Sequence, residues 1–261
     1  MIYYIMASVT QKSKRARTGR SAPKVAQGKK EQTIVLLYPG RFQPMGPHHA
    51  ETYRKLQKRF GDDTYIVTSN KVKLPKSPLN FEEREQVINQ FGIDKVIQVV
   101  SPYGAREILD KYDPETTVAV YAVGEKDMEG PAARFNFKPK KDGTPQYYQR
   151  YEENIGNLEP YTKHAYMVVA PHEKVILPDG SEMSGTSLRK LLETANEKTF
   201  EQVWGFFNEE VYEMLKGKFQ PLGRRKVKKN KKKRTKKKRN KKKKTRKRGK
   251  ENKKKKKTIR R

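Results

Sequence analysis

Arg41, His48 and His49 share one short stretch, YPGRFQPMGPHHAETY, residues 38–53. It follows the apolar run Thr33-Ile34-Val35-Leu36-Leu37 and leads into a helical pattern from Ala50 onward. A strand, a turn rich in Gly and Pro, and a helix leave backbone N–H groups and a helix N-terminus at one spot, where an anion is favoured. A guanidinium and two imidazoles at the same mouth favour the same guest. Phosphate suits that set. A second arginine, Arg189, lies in Met183-Ser184-Gly185-Thr186-Ser187-Leu188-Arg189, where Ser184 can cap a helix running through Leu188, Leu191 and Leu192. Taken alone, Ser-Gly-Thr-Ser-Leu-Arg is only a helix start. Paired with the first stretch, its free N–H groups and forked guanidinium point at the same phosphate chemistry.

Both stretches resemble one family. GRFQP followed by a His-containing segment is similar to the nucleotidyltransferase superfamily that includes cytidylyltransferases and nicotinamide-nucleotide adenylyltransferases. Its first strand–helix turn usually reads GRFQP, one residue, then His-x-Gly-His. Here Met45 fills the variable place, Gly46 stands where the first His is expected, Pro47 is free and His48 replaces the Gly. Only His49 matches its motif position. The 183–189 stretch resembles the family's Ile-Ser-x-Thr-x-Ile-Arg in spacing, and PLNFEER, residues 78–84, resembles the loop and helix of archaeal-type nicotinamide-nucleotide adenylyltransferases. The resemblance covers most of 33–195 and neither end of the chain.

That resemblance implies a nucleoside triphosphate held by Gly40, Arg41, Phe42, Ser184, Thr186 and Arg189, with His49, Arg189 and His48 as catalytic residues. A phosphate-bearing acceptor would attack the α-phosphorus and pyrophosphate would leave, with Mg²⁺ carried in on the triphosphate. ATP with a mononucleotide is the first expectation, CTP with a phosphorylated alcohol the second. Gly124-Glu125-Lys126-Asp127 falls where the family lines its second-substrate site, which makes Gly124 and Asp127 candidate acceptor contacts; the same four residues read equally as a solvated turn. Two other readings stay open. One is a nucleotide-binding protein that lost turnover with the first His, the other a nucleic-acid-binding protein acting through a basic tail.

The elements that must position these residues alternate. Apolar runs at 33–37, 64–68, 95–100, 117–123 and 165–170 read as strands, separated by helical patterns from His49 to about 60, at 81–88 after the N-cap Asn80, and at 105–112. Continuous apolar strands between helices predict an α/β fold, a Rossmann-like parallel sheet flanked by helices, with ligands at the carboxyl ends of the strands. Gly40, Ser69 and Gly124 fall there. Residues 128–160 break the alternation and interleave bases with aromatics, among them Arg134, Phe135, Phe137, Tyr147 and Tyr148. That mixture suits a lid or an acceptor loop, and it makes Arg134 a third candidate acceptor contact. Residues 198–217 carry Phe200, Val203, Trp204, Phe207, Val211, Tyr212 and Leu215 at helical spacing, read as one amphipathic helix packed on the core.

Charge divides the chain into three. Residues 224–261 hold 28 Lys/Arg against one acid, Glu251, giving +27 of the chain's +32. Residues 1–32 contribute +7, and 33–223, with 25 bases and 27 acids, only −2. The expected organisation is therefore a disordered basic arm at 1–32, a nucleotidyltransferase-like domain at 33–223 and a disordered Lys/Arg-rich tail at 224–261. The tail suits non-specific nucleic acid or nuclear import, and drifted A-rich coding sequence would produce much the same composition. Met6 begins MASVTQ, which reads as a starting sequence in its own right. With no Cys and four His (His48, His49, His164, His172), disulfides and Cys-ligated zinc are excluded and a protein-built metal centre is not expected. No apolar run approaches a membrane span. The expected location is intracellular: cytoplasmic, or nuclear in a eukaryotic host.

Overall fold

Six short strands pair wholly in parallel. The computed structural model describes residues 31–131 and 133–219, so the expectations for residues 1–30 and for the 224–261 tail lie outside the described residues. The chain divides between Glu31 and Gln32, and the fold belongs to the second part. The strands are β1 (Thr33–Pro39), β2 (Thr64–Thr68), β3 (Val96–Gln98), β4 (Thr117–Val123), β5 (Tyr148–Arg150) and β6 (Ala165–Val169), in the sheet order β3-β2-β1-β4-β6-β5. The helices are α1 (Pro47–Phe60), α2 (Phe81–Asn89), α3 (Arg106–Leu109), α4 (Glu125–Met128), α5 (Tyr151–Asn154), α6 (Gly185–Leu192), α7 (Glu197–Trp204) and α8 (Glu209–Phe219). This is the α/β, Rossmann-like arrangement that the alternating pattern predicts.

Strand periodicity sorts the core into two layers. Leu36, Ile66, Val118, Val120, Ala122, Tyr166 and Val168 face one side, packed with Tyr53 and Leu56 of α1, Val87 and Ile88 of α2, and Leu188, Phe200, Trp204 and Leu215 of α6 to α8. Val35, Leu37, Val67, Ala119, Tyr121 and Met167 face the other, against Ile108 and Leu109 of α3 and the Tyr103 and Tyr148 rings. All seven residues of β4 are buried, which is why its sequence after Thr117 is continuously hydrophobic. The chain runs outward through β2 and β3, then returns to place β4 on the other flank of β1. Loops leaving β1 and β4 therefore part, opening a crevice at their carboxyl ends.

Four details differ from the sequence expectation, the first being that the helix expected at 105–112 shortens to Arg106–Leu109. Residues 128–160 are not purely an inserted loop, because Tyr148–Arg150 forms edge strand β5, in register with Ala165–Met167 of β6. Three half-buried residues carry too little periodicity to reveal a strand. The single helix expected at 198–217 is two: Gly205 ends α7 at φ 77°, and the Asn208 side chain accepts from Val211 N–H (3.1 Å) to start α8. The apolar residues keep their phase across the break, so spacing alone hides it. The strand expected at 95–100 shortens to Val96–Gln98, and Val100 stands 83% exposed beyond it.

Trp204 connects this framework to the turn that opens α1. Its ring stacks on Phe200 (4.6 Å, 10°), and its Nε1–H donates to the Met45 carbonyl at 3.1 Å in a fully buried setting. Trp204→Phe keeps most of the ring volume and orphans that carbonyl, an expected loss of about 1–3 kcal/mol. Trp204→Ala also leaves a cavity and should lose about 3–5 kcal/mol. Urea unfolding followed by circular dichroism measures both; an unmoved midpoint in Trp204→Phe would show that the bond to Met45 contributes nothing.

Candidate functional site

The turn between β1 and α1 is held by its own side chains. Gly40 N–H donates to Val67 O (3.1 Å), continuing the sheet, and the chain then bends through Phe42 at φ 43°. The Phe42 ring lies over Gly40, where an added side chain would meet it at 2.5 Å; only glycine fits. The same ring meets Tyr38 and His49 edge-on, each at 5.5 Å. Gln43 is buried, its Nε2 donating to Leu79 O (2.8 Å) and its Oε1 accepting from Leu79 N–H (3.0 Å). Its own carbonyl accepts from Arg189 Nη1 (2.9 Å), whose Nη2 donates to Thr186 Oγ1 (2.9 Å). The two motif stretches, 146 residues apart at this bond, are thus in direct contact.

Between them lies a pocket of about 250 Å³, walled by Arg41, Phe42, Gln43, Pro44, His49, Lys76, Gly185 and Arg189. Among the described residues, no ion pair engages Arg41, Lys76 or Arg189. Burial, and after it the Arg41 charge, lowers the Arg189 pKa from its usual value. Three cations gathered without a carboxylate form a place where an anion lowers the energy. Ser184 caps α6 by accepting from Ser187 N–H (3.1 Å). Gly185, the first residue of that helix, lies on the pocket wall.

The two imidazoles differ in placement. His49 reaches the wall, and its Nδ1 accepts from Gly46 N–H at 3.3 Å. His48 stacks on His49 at 3.8 Å between centroids and folds back, its Nδ1 and Cε1 3.1 Å from where a side chain on Gly46 would begin. That Nδ1 is buried and has no hydrogen-bond partner among the described residues. Burial pushes His48 down to about 4, with His172 lowering it further and Glu182 raising it, and pushes His49 down to about 3, helped by His48. Both are neutral at pH 7.

A larger cavity of about 700 Å³ adjoins the pocket through Arg41, within the usual range for ligand sites. Gly40, Ser69, Gly124, Asp127 and Arg134 line it, with Tyr38 and Tyr103 as its aromatic walls. Arg134 forks onto Asp127 (Nε to Oδ1 2.6 Å, Nη2 to Oδ2 2.8 Å) and donates from Nη2 to the Tyr103 hydroxyl (2.5 Å). The Asp127 hydrogen bond is the main cause of a raised Arg134 pKa, while burial raises that of Tyr103. Gly124, Asp127 and Arg134 thus come together on one wall.

Of the residues singled out from sequence, Gly40, Arg41, Phe42, His49, Arg189, Gly124, Asp127 and Arg134 line one cavity or the other. His48, Ser184 and Thr186 do not; they hold His49, the α6 N-terminus and Arg189 in place. Sequence reasoning missed Lys76, Gln43 and Tyr103. Lys76 stands two residues before the PLNFEER stretch, the only local signal it carries. Among the described residues, no group of three or more His, Cys, Asp or Glu is disposed to hold a metal ion, and no helix is long and apolar enough to cross a membrane. A scan against protein-family models finds no match, and no curated protein matches the chain.

The two depressed imidazoles set a pH dependence of stability. The unfolded chain protonates them near 6.5, the folded chain only near 4 and 3. Unfolding therefore takes up protons in that window, and stability falls as pH drops from 6.5 toward 4; above 6.5 these groups add no slope. Thermal midpoints measured from about pH 7 to about pH 5, above most carboxylate titrations, are expected to fall in the wild type. They should fall less in His48→Gln/His49→Gln. An equal slope in that variant would assign the effect elsewhere.

Proposed function

We propose that this chain is a nucleotidyltransferase that moves a nucleoside monophosphate from a nucleoside triphosphate, ATP or CTP, to a phosphate-bearing acceptor. What supports the reading is the convergence of Arg41, Lys76 and Arg189, without a carboxylate, on a pocket opening into a larger cavity at the carboxyl ends of β1 and β4. The β- and γ-phosphates occupy the smaller pocket among Arg41, Lys76, Arg189 and the first turn of α6. The α-phosphate lies at Arg41, the group common to both cavities. Nucleoside and acceptor share the larger one, the acceptor phosphate competing with Asp127 for Arg134.

An acceptor phosphate oxygen attacks the α-phosphorus in line, the α–β bridging bond breaks, and pyrophosphate leaves on the cations of the smaller pocket. No covalent intermediate with the protein is required. Positioning and stabilisation of charge on the transferring and leaving phosphates account for the rate. Mg²⁺ would enter with the triphosphate and offset part of its charge. His49 contributes a polar tip on the pocket wall. His48 stands in for the motif's missing first imidazole, its ring filling the space beside Gly46.

Pyrophosphate release with a panel of triphosphates and acceptors tests this. His49→Ala and Arg189→Ala should each reduce turnover on the order of 10²-fold or more, and His48→Ala, which acts through His49, by a smaller factor. Gly46→His alone should fail, because a side chain there meets Leu188 Cδ1 at 2.6 Å and His48 at 3.1 Å. Adding His48→Gly clears the second obstacle and should restore part of the turnover. Full turnover in His48→Ala with loss in His49→Ala would sink the stand-in role. Triphosphate binding with no turnover under any pairing would favour instead a nucleotide-binding protein without catalysis, the reading to which the missing imidazole at Gly46 points.

A further inference from the structure

Lys71, Lys73 and Lys76 stand exposed on the loop between β2 and α2, where residues 69–79 contain no acid. The loop is built, not loose. Lys73 and Ser77 exchange backbone hydrogen bonds (2.8 and 2.7 Å), closing the tip. Phe81 N–H donates to Asn70 Oδ1 (2.8 Å) and Gln43 grips Leu79, fixing the base. Lys76 faces the phosphate pocket, while Lys71 and Lys73 extend the basic rim outward, in no ion pair among the described residues. On the segment that follows β4 and Arg134, Lys138, Lys140 and Lys141 are exposed and likewise in no ion pair among the described residues.

The place where the described chain ends carries this further. α8 ends at Phe219, and Lys218 pairs with Glu83 Oε1 at 2.5 Å. Glu83 lies in the first turn of α2, directly after the lysine loop. The described chain therefore ends beside the lysine loop, and in the sequence residues 224–261 carry 28 Lys/Arg against Glu251. With Arg41, Lys76 and Arg189 on the triphosphate and Arg134 on the acceptor phosphate, a free mononucleotide leaves the lysines of the rim with nothing to bind. A supply of cations this large suits a partner with a phosphate on every unit.

We propose that the acceptor is the 5′-monophosphate end of a single-stranded nucleic acid, drawn to the mouth by the basic rim and tail. This rests on the transferase reading above and names its acceptor. The cavity of about 700 Å³ has Tyr103 and Tyr38 on its walls, aromatic faces on which a terminal base parted from its neighbours can stack. A 5′-phosphate oxygen forms the new bond to the α-phosphorus. The α–β bridging bond breaks, its electron pair leaves with pyrophosphate, and the strand is left with a nucleoside joined through a 5′,5′-pyrophosphate. No redox partner is needed.

The test uses the full chain, ATP or CTP labelled at the α-phosphorus, and a single-stranded oligonucleotide of about twelve residues bearing either a 5′-phosphate or a 5′-hydroxyl. A free mononucleotide serves as comparison. Label is expected in the 5′-phosphorylated strand and not in the 5′-hydroxyl strand. The KM for that strand should lie about tenfold or more below that of the mononucleotide at low salt and rise steeply with added salt. Lys71→Gln/Lys73→Gln, and a full-length chain with the 224–261 lysines changed to glutamine, should raise the oligonucleotide KM several-fold. Neither should change turnover of the mononucleotide. A labelled mononucleotide with an unlabelled strand overturns the proposal and leaves the transferase reading standing. So does an oligonucleotide KM indifferent to salt and to both variants. Pyrophosphate release with no acceptor of either kind overturns both.

Discussion

Gln43 bonds to both of the other segments that supply the site's cations. Its side chain is paired in both directions with the Leu79 backbone, and its carbonyl accepts from Arg189. Arg41 comes from the turn that contains Gln43, Lys76 from the loop that ends at Leu79, and Arg189 from α6. Three segments distant in sequence thereby bring one positive charge each to a pocket of about 250 Å³. The two bonds to Leu79 are buried, so breaking one strands a polar group at a cost of about 1–3 kcal/mol. Rigidity of this kind is what a site needs if its dipoles and charges are to act without reorganising.

The arrangement opposes its own charges until a ligand arrives. Arg189 already has its pKa lowered by burial and by Arg41, and the neighbouring imidazoles are held neutral. A polyphosphate reverses each of these terms: it neutralises the guanidinium pair and favours protonated over neutral imidazole. In the larger cavity the logic is inverted, because Asp127 already satisfies Arg134 with a forked pair. A phosphate there must displace a carboxylate and compete with the Tyr103 contact. The smaller pocket is thus poised for an anion, while the larger one admits only an anion able to exchange with Asp127.

How much of this the sequence discloses depends on range. β4 is readable because both faces are buried and all seven residues are apolar or Thr. β5, with three half-buried residues, has no periodicity to read, and the α7–α8 break at Gly205 is masked by apolar residues that stay in phase across it. In the site, the turn at Gly40 and the cap at Ser184 are local devices and announce themselves through residue type. Gln43 is visible as a motif letter, yet its partner Leu79 is 36 residues away, and nothing local marks the pairing. Lys76 is the extreme case. It is one of three lysines in an exposed loop, and only the backbone closure between Lys73 and Ser77 determines which of them turns inward.

Arg84 shows how far the fold goes to fix that loop. Its guanidinium is 2% exposed, donates from Nε to Asn80 O (2.9 Å) and from Nη1 to Thr68 Oγ1 (2.5 Å), and has no carboxylate partner among the described residues. Nη2 is buried without a hydrogen-bond partner there. A cation near the start of α2 also opposes the helix dipole, which Glu82 and Glu83 only partly offset. Desolvation alone lowers its pKa more than those acids raise it. An apolar residue would pack there without that penalty, so packing does not account for an arginine. Its two bonds do: one holds the end of β2 just before Ser69, the other the carbonyl at the α2 cap, the two ends of the loop that carries Lys76. Fixing those ends holds the loop that brings Lys76 to the same pocket as Arg189.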